Sequence, residues 1–206
     1  MSAERRIVVG WDLDDCLAPT MSVVAPIYQR RFRHDIDLAN AYNGQPGPWG
    51  VDTFAEAIRR YEAIMAAPSF HQLLIPDTDT LRAVHALDKQ GIRQVVVTGR
   101  ADQFRSASFQ WLGRQFPGVR LGLATTNHHA SNGAVSMTKG EVCRAEGITH
   151  MVDDAPAHLA TLDPELTNRF LMGQPWNIGA EQPGVIRVVS PLDFAARCLR
   201  SVQQRG

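Results

Sequence analysis

The sequence predicts an α/β fold: a doubly wound, mostly parallel sheet with a small helical segment inserted after the first strand. Two observations predict the sheet. Short apolar runs recur along the chain, and stretches with helical periodicity separate them. A third observation marks the insertion, because residues 18 to 72 break the alternation and read as helices alone.

The elements follow in order. Ile7-Val8-Val9-Gly10-Trp11 is apolar or small throughout and reads as a buried strand. In the insertion, Val23, Val24 and Ile27 mark one helix, and Phe54, Ile58, Tyr61 and Met65 mark a second at spacings of 4, 3 and 4. A loop rich in Gly, Pro and Asn, from Asn43 to Gly50, joins them. Asp77 or Thr78 caps a helix carrying Leu81, Val84 and Leu87, and Gly91 stops it. Gln94 to Thr98 is the second strand, and Phe104, Trp111 and Leu112 mark a helix over residues 102 to 115. Further strands are expected at Val119 to Leu123, Ile148 to Val152, Arg169 to Met172 and Val185 to Val189. Ser190-Pro191 opens a C-terminal helix with Pro at its first position. The expected units are a core of residues 1–17 and 73–206 and a small helical cap of residues 18–72.

A chain of 206 residues is long enough for one core with such an insertion. Lys plus Arg balance Asp plus Glu at 21 each, so no net field draws the protein to a nucleic acid polymer or an anionic membrane. No apolar run is long enough to span a bilayer, and no signal peptide is expected from the polar stretch Met1 to Arg6. Cys16, Cys143 and Cys198 are scattered and form no C-x-x-C pair, which disfavours a disulfide framework or structural zinc. The cytoplasm is the expected compartment.

Asp12, Asp14 and Asp15 crowd the end of the first strand and repel one another at neutral pH. Such a cluster calls for a compensating cation, and a hard divalent ion with oxygen ligands suits it. Ligand sites in open α/β sheets lie outside the carboxyl ends of the strands. The second strand ends there in Thr98-Gly99-Arg100, and the strand through Val152 delivers Asp153 and Asp154. Thr138 and Glu141 read as a capping box, which puts Lys139 in the first turn of a helix. A cation there is disfavoured by about 0.3–1 kcal/mol, so an anion is expected to meet it. Each feature alone has a plainer reading: a solvated acidic turn, a strand-to-helix turn, a surface lysine, a helix cap. Their order along one chain is harder to explain separately. His128 and His129 read as an exposed polar loop, and His150 as packed within a strand.

In that order the chain resembles the haloacid dehalogenase superfamily of aspartate-nucleophile phosphohydrolases. The superfamily's strand followed by Asp-x-Asp is matched by Asp12 and Asp14, its Thr or Ser after a second strand by Thr98, its Lys or Arg by Lys139, and its late acidic pair by Asp153-Asp154. The wide gap between the first two motifs leaves room for a cap. Within the superfamily the chain looks most like the 5'(3')-deoxyribonucleotidase group, on Phe70, Leu73 and Pro76 and on Gln174-Pro175-Trp176-Asn177. Cys16 departs from the Thr or Val usual there.

The resemblance implies a Rossmann-like core and a magnesium-dependent phosphate monoester hydrolase. Asp12 would be the nucleophile that forms an aspartyl-phosphate, and Asp14 the acid and then the base. Asp12, the backbone carbonyl of Asp14, Asp153 and Asp154 would hold magnesium. Thr98, Lys139 and amides near Asp15 and Gly99 would hold the phosphoryl oxygens. The expected substrate is a small phosphorylated metabolite, with a nucleoside monophosphate favoured by the aromatic residues of the insertion. Trp49 and Phe70, outside the helical periodicity, are the expected stacking rings, while Phe54 and Tyr61 are expected inside the cap. A phospho-receiver module is disfavoured because its acidic pair precedes the Thr and Lys. A phosphonate-cleaving enzyme would need a cap lysine, and residues 18 to 72 contain none.

Overall fold

The computed structural model describes residues 6–42, 45–127 and 135–204. His128 and His129 lie outside the described residues. Strands β1 (Val8–Trp11), β2 (Arg93–Thr98), β3 (Leu121–Thr125), β4 (His150–Asp153), β5 (Asn168–Met172) and β6 (Val185–Val188) form one sheet in the order β3-β2-β1-β4-β5-β6. Every neighbouring pair is parallel. The strand order reverses across β1 and β4, which opens a crevice at their carboxyl ends. β3 begins two residues later than the apolar pattern indicates. Gly118 takes φ 82° and the Val119 amide donates to Phe116 O, so Val119 closes a turn instead of entering the sheet.

The strands are buried on both faces, as parallel strands require. Val9, Trp11, Val96, Val152, Phe170 and Val188 belong to one apolar layer with α4 (Thr78–Lys89), α5 (Arg105–Gln115) and α8 (Pro191–Gln203). Val8, Val95, Val97, Met151 and Leu171 belong to the other, with α6 (Lys139–Glu146) and α7 (Pro156–Leu159). This is the doubly wound arrangement. His150 is buried and stacks on Phe170. The expected helix signals are in place: Asp77 accepts from the Thr80 amide, Ser190 accepts from Asp193, and Thr138 with Glu141 completes a capping box.

Gly140 sits where α6 crosses the end of α7. A Cβ at this position would lie 1.9 Å from the Thr161 carbonyl oxygen. Gly140→Ala must therefore push the helix that carries Lys139 away from its seat. Overpacking costs about 1–3 kcal/mol, and a backbone obstacle puts this site at the upper end. A urea titration should show a lowered midpoint; an unchanged one would mean that α6 shifts freely.

The segment between β1 and α4 holds α1 (Thr20–Phe32), α2 (Phe54–Met65) and α3 (Phe70–Leu73). Its apolar residues join the core cluster through Leu17, Met21, Val24, Ile64, Met65 and Phe70. Trp49 and Phe70 are 6% and 1% exposed, so neither offers a free ring face. The Trp49 indole N–H donates to Ala41 O, Tyr28 OH donates to Trp49 O, and the ring meets Tyr28 and Tyr61 edge-on. The turn at Gly47–Trp49 faces inward and makes Trp49 a centre of packing. Phe54, the first residue of α2, is 38% exposed instead of internal. Among the described residues no helix is long and apolar enough to cross a membrane.

Candidate active site

β1 and β4 end side by side, and the Asp12 amide donates to Val152 O across them. The Asp12 carboxylate accepts from the Leu13 amide at 2.8 Å and meets Lys139 Nζ at 2.7 Å. The same ammonium donates to Asp153 Oδ2 at 2.6 Å. Lys139 is 3% exposed at the first position of α6, a buried cation held between two carboxylates. Burial alone would lower its pKa, but the charges of Asp12 and Asp153 outweigh that and push it up. Asp12 is raised to about 6, first by burial and then by repulsion from Asp153 and Asp14, against the pull of Lys139. Asp153 also accepts from the Ala155 amide at 2.9 Å and lies 3.3 Å from His158 Nδ1. Burial opposes its ionisation, yet Lys139 and His158 hold it down at about 2.

Asp14 faces β2. Arg100 Nε lies 3.0 Å from Asp14 Oδ2, and Nη2 lies 2.6 Å from Oδ1. Thr20, at the start of α1, donates its hydroxyl to Oδ1 at 2.5 Å. Burial raises the Asp14 pKa, but Arg100 and Thr20 together bring it below the usual value. Thr98 is fully buried, and its hydroxyl oxygen accepts from the Arg100 amide at 3.2 Å, leaving the hydroxyl proton to donate elsewhere. Asp15 adopts φ 58°, a left-handed conformation that is uncommon for a residue with a side chain. Its Oδ1 accepts from the Met21 amide and its carbonyl from Gln174. Its own amide donates to Ala18 O, so of the amides near Asp15 this one is engaged within the turn.

Asp154 is held from the fifth strand's end. Trp176 donates its indole N–H to Asp154 Oδ2 at 2.7 Å, and Asn177 donates to the Asp154 carbonyl. Burial and the neighbouring carboxylates push its pKa well above the usual range. Ligand atoms of Asp12, Asp154 and Cys16 lie within 4.8 Å of one another. Asp12, Asp14, Asp15, Asp153 and Asp154 are thus gathered around Lys139 and Arg100, an excess of carboxylates that fits a divalent cation with oxygen ligands. Of the expected metal residues, Asp12 and Asp154 converge. Asp153 is turned to Lys139, and the Asp14 carboxylate to Arg100.

The structure therefore brings together Asp12, Asp14, Asp15, Lys139, Asp153 and Asp154, sets Thr98 and Gly99 at the end of the neighbouring β2 next to Arg100, and leaves Trp49 and Phe70 in the packing. The sequence names Arg100 and Trp176 within its motifs without giving either a role in the site, and nothing in it marks Thr20. Arg100 had a signal, a charge two residues past a strand end. Tyr42, 42% exposed, stacks at a tilt on Trp176 with ring centroids 4.8 Å apart. This pair, and not Trp49 or Phe70, offers an aromatic surface beside the carboxylates.

Several solved structures share the fold at low identity. A haloacid dehalogenase-like family hydrolase from Streptococcus pneumoniae aligns with TM-score 0.63 and 11% identity, over 95% of this chain and 99% of that one. A HAD-superfamily hydrolase from Ehrlichia chaffeensis aligns with TM-score 0.58 and 11% identity, over 98% and 100%. D,D-heptose 1,7-bisphosphate phosphatase from B. bronchiseptica, complexed with magnesium and phosphate, aligns with TM-score 0.56 and 13% identity, over 95% and 99%. No curated protein matches the chain significantly. The profile of one sequence family, however, matches residues 5–196, from β1 into the first half of α8 and across every site residue described above. The chain belongs to that family, the 5' nucleotidase, deoxy (Pyrimidine), cytosolic type C proteins, and is a hydrolase of the haloacid dehalogenase fold.

Proposed function

We propose that the protein is a magnesium-dependent phosphate monoester hydrolase acting through an aspartyl-phosphate on Asp12, with nucleoside monophosphates as substrates. The observation that carries this reading is the buried Lys139 bridging Asp12 and Asp153 at the ends of adjacent strands. An ammonium so placed meets phosphoryl oxygens as they arrive at Asp12 and stabilises charge that develops there. Asp12, Asp154 and the Asp14 carbonyl would hold magnesium, and Asp153 would hold Lys139. The metal would screen the substrate's negative charge from the attacking carboxylate and act as a Lewis acid on the phosphoryl group.

Asp12 forms a bond to phosphorus while the ester P–O bond breaks, and the Asp14 carboxyl gives its proton to the departing oxygen. Asp14 then takes a proton from water as the water oxygen bonds to phosphorus and the Asp12–phosphorus bond breaks. Arg100 favours the ionised Asp14, and an arriving phosphate dianion repels that charge and favours the protonated form. The Thr98 hydroxyl and the Gly99 amide hold the remaining phosphoryl oxygens.

The segment 18–72 acts as a cap over this end of the sheet, with residues 1–17 and 73–206 as the core. Tyr42 from the cap and Trp176 from the core form an aromatic surface suited to a base, for which stacking contributes about 1–3 kcal/mol. The cytosolic type in the family's description supports a cytoplasmic location. A panel of nucleoside and sugar monophosphates, assayed with magnesium and again with chelator, tests the reading. We expect kcat/KM to favour the nucleotides by tenfold or more and chelator to abolish turnover. A tenfold preference for sugar phosphates would sink the nucleotidase assignment, and full activity without metal would sink the mechanism.

A further inference from the structure

We propose that Arg100 is a positioning residue that aims the Asp14 carboxyl at the leaving group, and that its seat ties this aim to the inserted segment. The inference rests on the reading of Asp14 as the acid. Arg100 is 5% exposed and uses its whole fork. Nε and Nη2 take Asp14, while Nη1 donates to Ser108 Oγ of α5 at 3.0 Å and lies 3.3 Å from His71 Nε2 of α3. A guanidinium has no acceptor, so His71 Nε2 must receive this hydrogen bond and the ring must be neutral. Burial and the Arg100 charge agree, pushing His71 down to about 4.

The contacts come from both ends of the insertion. Thr20, on its outgoing arm, donates to Asp14 directly, and His71, on its returning arm, backs Arg100. Asp14 is thus held directly by Thr20 from one arm and, through Arg100, by His71 from the other, with Ser108 as the footing on the core. Stability alone does not explain the pair, because a buried ion pair is often no better than apolar packing of the same volume. Orientation does explain it: a planar fork fixes both carboxylate oxygens at once, where a lysine would offer a single point charge.

The test is a series of substituted phenyl phosphates with graded leaving groups. A nitrophenolate departs without a proton, whereas an unsubstituted phenolate gains from one. Values of kcat/KM report the first irreversible step and are insensitive to the later water attack. Arg100→Lys and Arg100→Gln should lose at least tenfold more kcat/KM on phenyl phosphate than on p-nitrophenyl phosphate. Equal losses on both esters, or no loss, would overturn the positioning role. If Arg100→Gln does not fold, Arg100→Lys and Ser108→Ala decide by the same criterion, Ser108→Ala with a smaller effect in the same direction. Asp14→Asn run alongside separates the two ideas. A flat response there removes the acid assignment itself; a steep one there with a flat one in the Arg100 and Ser108 variants removes only the positioning role.

Discussion

Asp12→Asn is expected to abolish turnover. The carboxylate lies at the end of β1, 4% exposed, with Lys139 on one oxygen. An amide of the same shape keeps the packing but supplies no anion to attack phosphorus. Removing the nucleophile of a serine protease costs on the order of 10⁶ in kcat, and a loss of similar size is expected here. The fold should survive, because the change also relieves repulsion from Asp153 and Asp14, both of which press on Asp12. Steady-state assays on an aryl phosphate, with circular dichroism as the control, measure this. Mass spectrometry after rapid quench adds a direct reading: the phosphoryl adduct expected on the Asp14→Asn protein should be missing when Asp12 is also replaced. Near-native rates in Asp12→Asn would place the nucleophile elsewhere.

Lys139→Ala should be damaging in two ways. The ammonium is buried against Asp12 at 2.7 Å and Asp153 at 2.6 Å. Without it, two buried carboxylates face each other with no cation between them, and breaking a buried pair this way costs about 3–5 kcal/mol of stability. Turnover loses an electrostatic contact of the kind that contributes about 2.7–4 kcal/mol, so kcat should fall by roughly 10²–10³. The loss of stability should be smallest at low pH: the Asp12 pKa is already raised to about 6 with Lys139 in place and rises further without it, so well below 6 Asp12 is protonated in both proteins and no charge is left unpaired there. Thermal melts across pH, compared with the unsubstituted protein, check the sign; a loss independent of pH would mean that Lys139 matters through packing alone. Native kinetics would return it to an ordinary lysine.

The sequence by itself determined the sheet and where along it the residues of the proposed chemistry fall. β1, β2 and β4 are apolar runs closed by polar residues, so burial of the run places Asp12, Thr98 and Asp153 at one edge without knowledge of any partner. The capping box of Thr138 and Glu141 places Lys139 in a first turn for equally local reasons. The order of these motifs was enough to name a superfamily before any distance was known.

What only the tertiary structure decided is which groups meet. Trp49 and Phe70 had no periodicity to mark them as internal, and inward folding of a loop is not a local property; they are packed, while Tyr42 and Trp176 line the site. Within the late acidic pair, adjacent residues point in different directions. Asp153 goes to Lys139 and Asp154 towards Asp12, a division set by strand pairing and by the Trp176 indole. Arg100 reads in sequence as one more turn residue. Its guanidinium reaches Asp14 only because β1 and β2 are neighbours and α3 and α5 close behind it. Long side chains take their partners from the packing of distant elements, and no local pattern in the chain encodes that.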